Sequence, residues 1–109
     1  MTDTSVQLGD IGTKFLVTIE EDDSDGIAQP VDVSQATLKT ITIMPEGGST
    51  PITKAASFET DGTDGKIFIT SESGDLSTSG SWQIQGRVTL PGGDWRSKVG
   101  CFSVKTNLA

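Results

Sequence analysis

The chain has 109 residues, a formal net charge of −7, no histidine and a single cysteine. That length is one domain, spanning residues 1–109, with a modest core; the missing histidine excludes histidine-based acid–base pairs and histidine zinc sites. One cysteine excludes an internal disulfide, and no apolar run reaches the length of a membrane-spanning helix.

Thr4 to Leu8 alternates Val6 and Leu8 and predicts a short first strand, turned or bulged at Gly9-Asp10-Ile11-Gly12. Lys14 to Glu20 predicts the first strong strand, with Phe15, Val17 and Ile19 on one face and Leu16 on the other. Glu21-Asp22-Asp23-Ser24-Asp25-Gly26 reads as a polar turn between strands. Pro30 to Ser34 leads into a strand from Ala36 to Met44. Its apolar phase slips between Ala36/Leu38 and Ile41/Ile43, which predicts a β-bulge near Thr40 or a strand covered on both faces. Pro45-Glu46-Gly47-Gly48-Ser49 is a turn, Ile52 to Phe58 a weaker strand near an edge, and Asp61 to Gly65 another turn. Lys66 to Thr70 places Ile67 and Ile69 inward. Ser73 to Leu76 predicts one turn of helix, with Leu76 plugging the end of the sandwich.

The stretch from Gly74 to Val104 organises the rest. Trp82, Ile84, Gly86 and Val88 alternate with Gln83, Gln85, Arg87 and Thr89, the signature of a half-buried strand. Gly86 interrupts the apolar row and predicts close approach of another side chain. Pro91-Gly92-Gly93-Asp94 is turn chemistry, and the returning strand carries Trp95, Phe102 and Val104. A lone hairpin is marginal in water, so the preceding strands must cover its apolar face. About seven short strands at regular spacing predict an all-β, immunoglobulin-like antiparallel β-sandwich.

No residue stands out as catalytic, cofactor-binding or metal-binding. Counting Glu21 as the first position, Glu21, Asp23, Asp25 and Asp32 fall at positions one, three, five and twelve, with Gly26 at six, an echo of a calcium loop. The first and last acids are interchanged relative to that pattern and no helices flank it, so a strand-to-strand turn accounts for the same residues; cation binding by the loop Glu21 to Asp32 is left open. The serines have no histidine to activate them, and the acids fall on turns without an apolar pocket to raise a carboxyl pKa. The chain therefore reads as no enzyme. Cys101 reads as a small buried thiol. Trp82 reads as core, whereas Trp95, beside a turn, fits either a core or a half-exposed position. Gln83, Gln85 and Arg87 form a polar row that suits a solvated face or a partner contact.

Residues 1–32 hold eight acids and one base, Lys14, while the remainder is balanced. That excludes the basic stripe of a nucleic-acid-binding surface and suits solubility or docking on a basic neighbour. Met1-Thr2-Asp3-Thr4 has neither the basic start nor the apolar core of a signal peptide.

Several short pieces occur together: Pro30-Val31-Asp32-Val33-Ser34-x-Ala36, Pro45-Glu46-Gly47, Thr60-Asp61-Gly62-x-Asp64-Gly65-Lys66, and Gly74-Asp75-Leu76-x-x-x-Gly80-x-Trp82. Ile84-Gln85, Val88 and Pro91-x-Gly93-x-Trp95 follow. In this order and spacing, from about Leu8 to Asn107, they resemble the immunoglobulin-like domain of tailed-bacteriophage structural proteins. The N-terminal domain of the baseplate upper protein and small tail or neck proteins are the relatives meant. The resemblance implies a virion structural protein without cofactors, assembled in the bacterial cytoplasm in symmetric copies beside other virion proteins. The stem that follows this domain in a baseplate upper protein has no counterpart before Ala109, which favours an accessory subunit. Two other readings stay open: a capsid decoration or cement protein, and a carbohydrate-binding module that holds a host surface glycan on an exposed aromatic pair. Neither nucleic acid nor membrane is expected as a partner. The contacts expected are the first strand, Lys105-Thr106-Asn107-Leu108, and the outer face of the Trp82 strand.

Overall fold

The structure is a computed structural model that describes residues 4–47 and 50–106. Among them the strands are β1 (Thr4–Gln7), β2 (Lys14–Thr18), β3 (Glu20–Asp22), β4 (Ala28–Pro30), β5 (Leu38–Pro45), β6 (Ile52–Ala55), β7 (Ser57–Phe58), β8 (Lys66–Thr70), β9 (Gly80–Leu90), β10 (Gly93–Arg96) and β11 (Gly100–Lys105), with no helix among the described residues. The larger sheet runs β1-β11-β9-β5-β6, with β10 also on β9. The smaller sheet runs β2-β8-β7, and β3-β4 is a separate ribbon.

This is the predicted all-β sandwich. Counting β6 with β7 and β10 with β11, and setting the ribbon aside, leaves seven sandwich strands. The second, fifth and fourth form one sheet and the third, sixth and seventh the other, as in an immunoglobulin sandwich. The first strand departs from that plan: β1 lies at the far end of the larger sheet, parallel to β11, so the sandwich is not wholly antiparallel.

Alternation puts the core where the sequence predicts it. Trp82, Ile84 and Val88 of β9, Ile41 and Ile43 of β5, and Phe102 and Val104 of β11 face Phe15 of β2, Ile67 and Ile69 of β8, and Ile19 just beyond β2; all are buried. Phe102 joins the layers, its ring centroid 4.8 Å from Phe15 and 5.7 Å from Trp82. The Trp82 indole N–H donates to the Thr78 carbonyl at 2.9 Å, so the ring is buried without an orphaned donor. Each of these side chains contributes about 1.5–3 kcal/mol on full burial. Leu76 is fully buried at the sandwich end, in a hydrogen-bonded turn and not the predicted turn of helix. Lys54 pins that loop to β6 through Asp75 (2.9 Å) and Glu72 (2.8 Å).

The bulge predicted near Thr40 is absent. β5 keeps one unbroken register against both β9 and β6, so Ile41 and Ile43 point inward while Leu38 lies on the outer face, 42% exposed. The run from Ile52 to Phe58 instead breaks at Ala56: β6 pairs with β5, and β7 crosses to pair with β8 in the other sheet. The register slip is elsewhere. Arg96 pairs with Arg87 and Gly100 with Ile84, so three residues, 97–99, face two on β9. This bulge lets odd-numbered Trp95 and even-numbered Phe102 share the inner face.

Candidate docking surface

The acidic turn is built as a hairpin. Asp23 Oδ1 accepts hydrogen bonds from the amides of Asp25 (2.9 Å) and Ile27 (3.0 Å), and Gly26 takes a φ of 79° to close the turn. The Ile27 amide first, then that of Asp25, holds the Asp23 carboxyl below its ordinary range. Asp32 is capped separately, by the Ser34 hydroxyl (2.7 Å) and amide (3.0 Å), which lower its pKa in that order. Glu21 points elsewhere, its Oε2 accepting from the Trp95 indole N–H at 3.1 Å. The acids whose spacing echoes a calcium loop thus serve different local partners. Among the described residues no three His, Cys, Asp or Glu side chains are placed to share a metal ion.

The remaining sequence candidates divide between core and surface. Trp82 is 1% exposed and Trp95 packs half-buried against the core, so the two indoles do not form the exposed pair that glycan stacking requires. Cys101 corrects an expectation: it is exposed, because Phe102 and Val104 take the inward positions of β11 and leave Cys101 outward beside Gln83. Gln83 and Gln85 lie on the same outer face. Arg87 ends that row in an ion pair with Asp94 at 3.1 Å; the Thr89 hydroxyl first, then Arg87, lowers the Asp94 pKa.

Part of the outer face of the larger sheet, beside the Arg87–Asp94 pair, is uncharged. Rows of register partners cross it: Cys101, Gln83 and Met44; then Gln85, Thr42 and Thr53; then Ser103 and Ser81. Thr42 and Thr53 hydroxyls meet at 2.8 Å. None of these side chains is charged, although 21% of the chain is. Val99, 51% exposed, reaches from the bulge to line a shallow depression with Thr42, Met44, Gln83 and Gln85. β1 stands at one end of the same sheet; of the C-terminal contact residues, Lys105 and Thr106 are described and Asn107 and Leu108 lie outside the described residues.

A concavity lies beside β2. It is a cleft of about 510 Å³, floored by Phe15, Ile84 and Phe102 and walled by Ser97, Lys98 and Gly100 of the bulge region. Sequence reasoning missed it because it depends on the bulge. The parity change between Trp95 and Phe102 was the available signal.

No protein-family model and no curated protein matches the chain. Among solved structures, the crystal structure of CopC from Methylosinus trichosporium OB3b is similar, with a TM-score of 0.56, 14% identity, and coverage of 100% of this chain and 91% of that one. At that identity the likeness concerns the fold alone, and it agrees with the β-sandwich described above.

Proposed function

We propose that the chain is a small, non-catalytic structural subunit of a tailed-bacteriophage particle, docked in the tail, neck or baseplate by surface complementarity. The resemblance of its turn segments supplies the setting. The observation that carries the docking role is an uncharged patch on the outer face of the larger sheet, made by Cys101, Gln83, Met44, Gln85, Thr42 and Thr53 and bordered by the Arg87–Asp94 pair, since the cores of protein interfaces are depleted of charged residues. Its occupant on this reading is another structural protein of the particle. Cys101 gives that face a built-in probe. Particles made by the genome that encodes the chain are purified, analysed by mass spectrometry, and treated with a maleimide before and after disassembly. The reading expects the chain in the particles and Cys101 labelled only after disassembly. Absence from particles, or labelling equally fast in intact particles and free subunit, overturns it.

A further inference from the structure

We infer that Asp25 is a site of spontaneous succinimide formation, where the acidic hairpin converts with time to an isoaspartyl form while the other Asp-Gly pairs of the chain stay intact. Asp-Gly occurs three times, at Asp25-Gly26, Asp61-Gly62 and Asp64-Gly65. With no side chain on the following residue, the glycine amide nitrogen can swing onto the aspartyl Cγ and close a ring. The sequence gives all three pairs the same chemistry, so the fold has to distinguish them.

Two of the pairs are held. Asp61 Oδ1 accepts from the Thr63 hydroxyl (2.7 Å) and amide (3.0 Å). Asp64 engages both oxygens, Oδ1 with the Lys66 amide and Oδ2 with the Thr60 hydroxyl, each at 3.1 Å. The bonds to Asp61, the Thr63 hydroxyl first, also hold its pKa down, whereas ring closure expels hydroxyl from the neutral acid. Both glycines are built into the sandwich. The Gly62 carbonyl accepts from the Val33 amide and the Gly65 carbonyl from the Ile19 amide, each at 2.7 Å. A Cβ at Gly62 would lie 2.9 Å from the Phe58 ring, and one at Gly65 2.6 Å from the Ile19 carbonyl oxygen. Ring closure rotates the peptide, so these pairs react only when that packing opens.

Asp25-Gly26 is free of such restraints. Asp25 is exposed, and its carboxylate makes no hydrogen bond or ion pair among the described residues. Nothing lies within 4 Å of a Cβ at Gly26. The turn closes on the Gly26 amide, which donates to the Asp23 carbonyl at 3.0 Å, in a ribbon of three residue pairs that joins neither sheet. Exposed backbone hydrogen bonds of this kind open at low free energy. Asp23, before the small Ser24, is the nearest competitor, but its Oδ1 is occupied by the Asp25 and Ile27 amides.

The Gly26 nitrogen attacks Asp25 Cγ; the N–Cγ bond forms, and the displaced hydroxyl leaves with the amide proton as water. Water then opens the ring. Breaking the N–Cγ bond restores aspartate. Breaking the bond from the nitrogen to the former main-chain carbonyl leaves the chain running through Cβ and Cγ, with the old carbonyl carbon as a free carboxylate. Mass is conserved and only water is consumed or released. The main chain gains a methylene inside the turn that Asp23 caps.

The whole chain is incubated for weeks in weakly acidic buffer, folded or unfolded in urea. It is then digested with trypsin and labelled by an isoaspartyl methyltransferase with radioactive S-adenosylmethionine. Cleavage after Lys14, Lys39, Lys54 and Lys66 puts Asp25 in fragment 15–39 and both Asp61 and Asp64 in fragment 55–66. In the folded chain, fragment 15–39 is expected to gain label within about threefold of its rate in urea, and fragment 55–66 at least about tenfold more slowly than in urea. Asp25→Glu, which would have to close a larger ring, should remove the label from 15–39. No label in 15–39, equal rates for the two fragments in the folded chain, or label persisting in Asp25→Glu overturns the assignment. The measurement involves no particle, so its result and that of Cys101 protection are independent.

Discussion

Gly86→Ala tests how closely the two sheets are held. An alanine there gains about 0.5–1 kcal/mol from the smaller entropy loss on ordering the backbone. Against this, its Cβ would sit 2.6 Å from Val17 Cγ2 and 3.4 Å from the Cδ1 atoms of Ile19 and Ile67. Val17 is β-branched and packed between the two sheets, so the contact is relieved by shifting β2, and overpacking of this kind costs about 1–3 kcal/mol. The net loss is about 0.5–2 kcal/mol, or roughly a 0.3–1 M fall in urea midpoint at the slope of a small domain. Trp82, at 1% exposure, makes intrinsic fluorescence a direct monitor of unfolding. The decisive comparison is the same substitution in a Val17→Ala background, where the offending methyls are gone. There Gly86→Ala is expected to be neutral or slightly stabilising, a coupling of about 1–3 kcal/mol. Equal losses in both backgrounds would refute the close approach of β2 and β9.

Other consequences can be checked on the same protein. Ser97→Ala removes the buried hydroxyl that accepts from the Gly86 amide at 2.8 Å; the orphaned donor is expected to cost about 1–3 kcal/mol, and an unchanged Tm would show that the bulge does not depend on it. Asp23, Asp32, Asp61 and Asp94 all have carboxyls held below their ordinary pKa by turn and cross-strand hydrogen bonds, Asp61 chiefly by the Thr63 hydroxyl. Because the folded values are depressed, their contribution is present above the unfolded value near 3.8 and lost as pH falls through the folded values. Tm is therefore expected to drop below about pH 4, and Asp61→Asn combined with Asp94→Asn should flatten that drop; an unaltered acid profile would count against the caps. Lys54 acts in the opposite sense. Its pKa is raised, first by Glu72 and then by Asp75, so its contribution holds below the ordinary value of 10.5 and fades as pH rises through the folded value; Lys54→Met should remove that alkaline fall in Tm. Millimolar calcium or EDTA is expected to leave Tm unchanged, since Asp23 and Asp32 already accept local hydrogen bonds; a calcium-dependent rise would restore the cation reading of the loop.

Alternation alone was enough to locate the inner faces of β2, β8 and β9, because each of those strands keeps a single phase along its length. Gly86 was legible as a close approach for the same reason: a gap in an otherwise apolar row has to be filled from outside. Three features escaped. At β5 the pattern misled, because Leu38 is an exposed apolar side chain at the strand's start, and surfaces carry such residues without penalty. Cys101 was misplaced because its face is set by alternation with Phe102 and Val104, beyond a bulge whose mark in the sequence is a parity change from Trp95 and no particular residue. Serine is common throughout this chain; only its position opposite Gly86 makes its hydroxyl a ladder partner. The parallel docking of β1 on β11 is a long-range choice that strand propensity does not encode.

The close approach at Gly86 and the bulge behind the Cys101 miss meet at one level of the sandwich. Gly86 lets β2 descend onto β9, and the Gly86 amide, turned away from the Val17 side, is taken up by the Ser97 hydroxyl while Ser97 N–H returns to the Gly86 carbonyl at 2.9 Å. Gln85 closes the same bulge from its side chain, donating to the Ser97 carbonyl at 3.0 Å. One glycine and one serine thus set both the depth of the smaller sheet and the phase of the strand beyond it. If the bulge were straightened, Phe102 and Val104 would turn outward, and Cys101 and Ser103 would take their places over Phe15. The core and the uncharged patch of the outer face would be lost in the same step, because a one-residue slip exchanges the faces of a strand. The residues that shape the cleft beside β2 are therefore also those that decide which side chains the larger sheet presents. A change at Gly86 or Ser97 that leaves the domain folded should move both surfaces together.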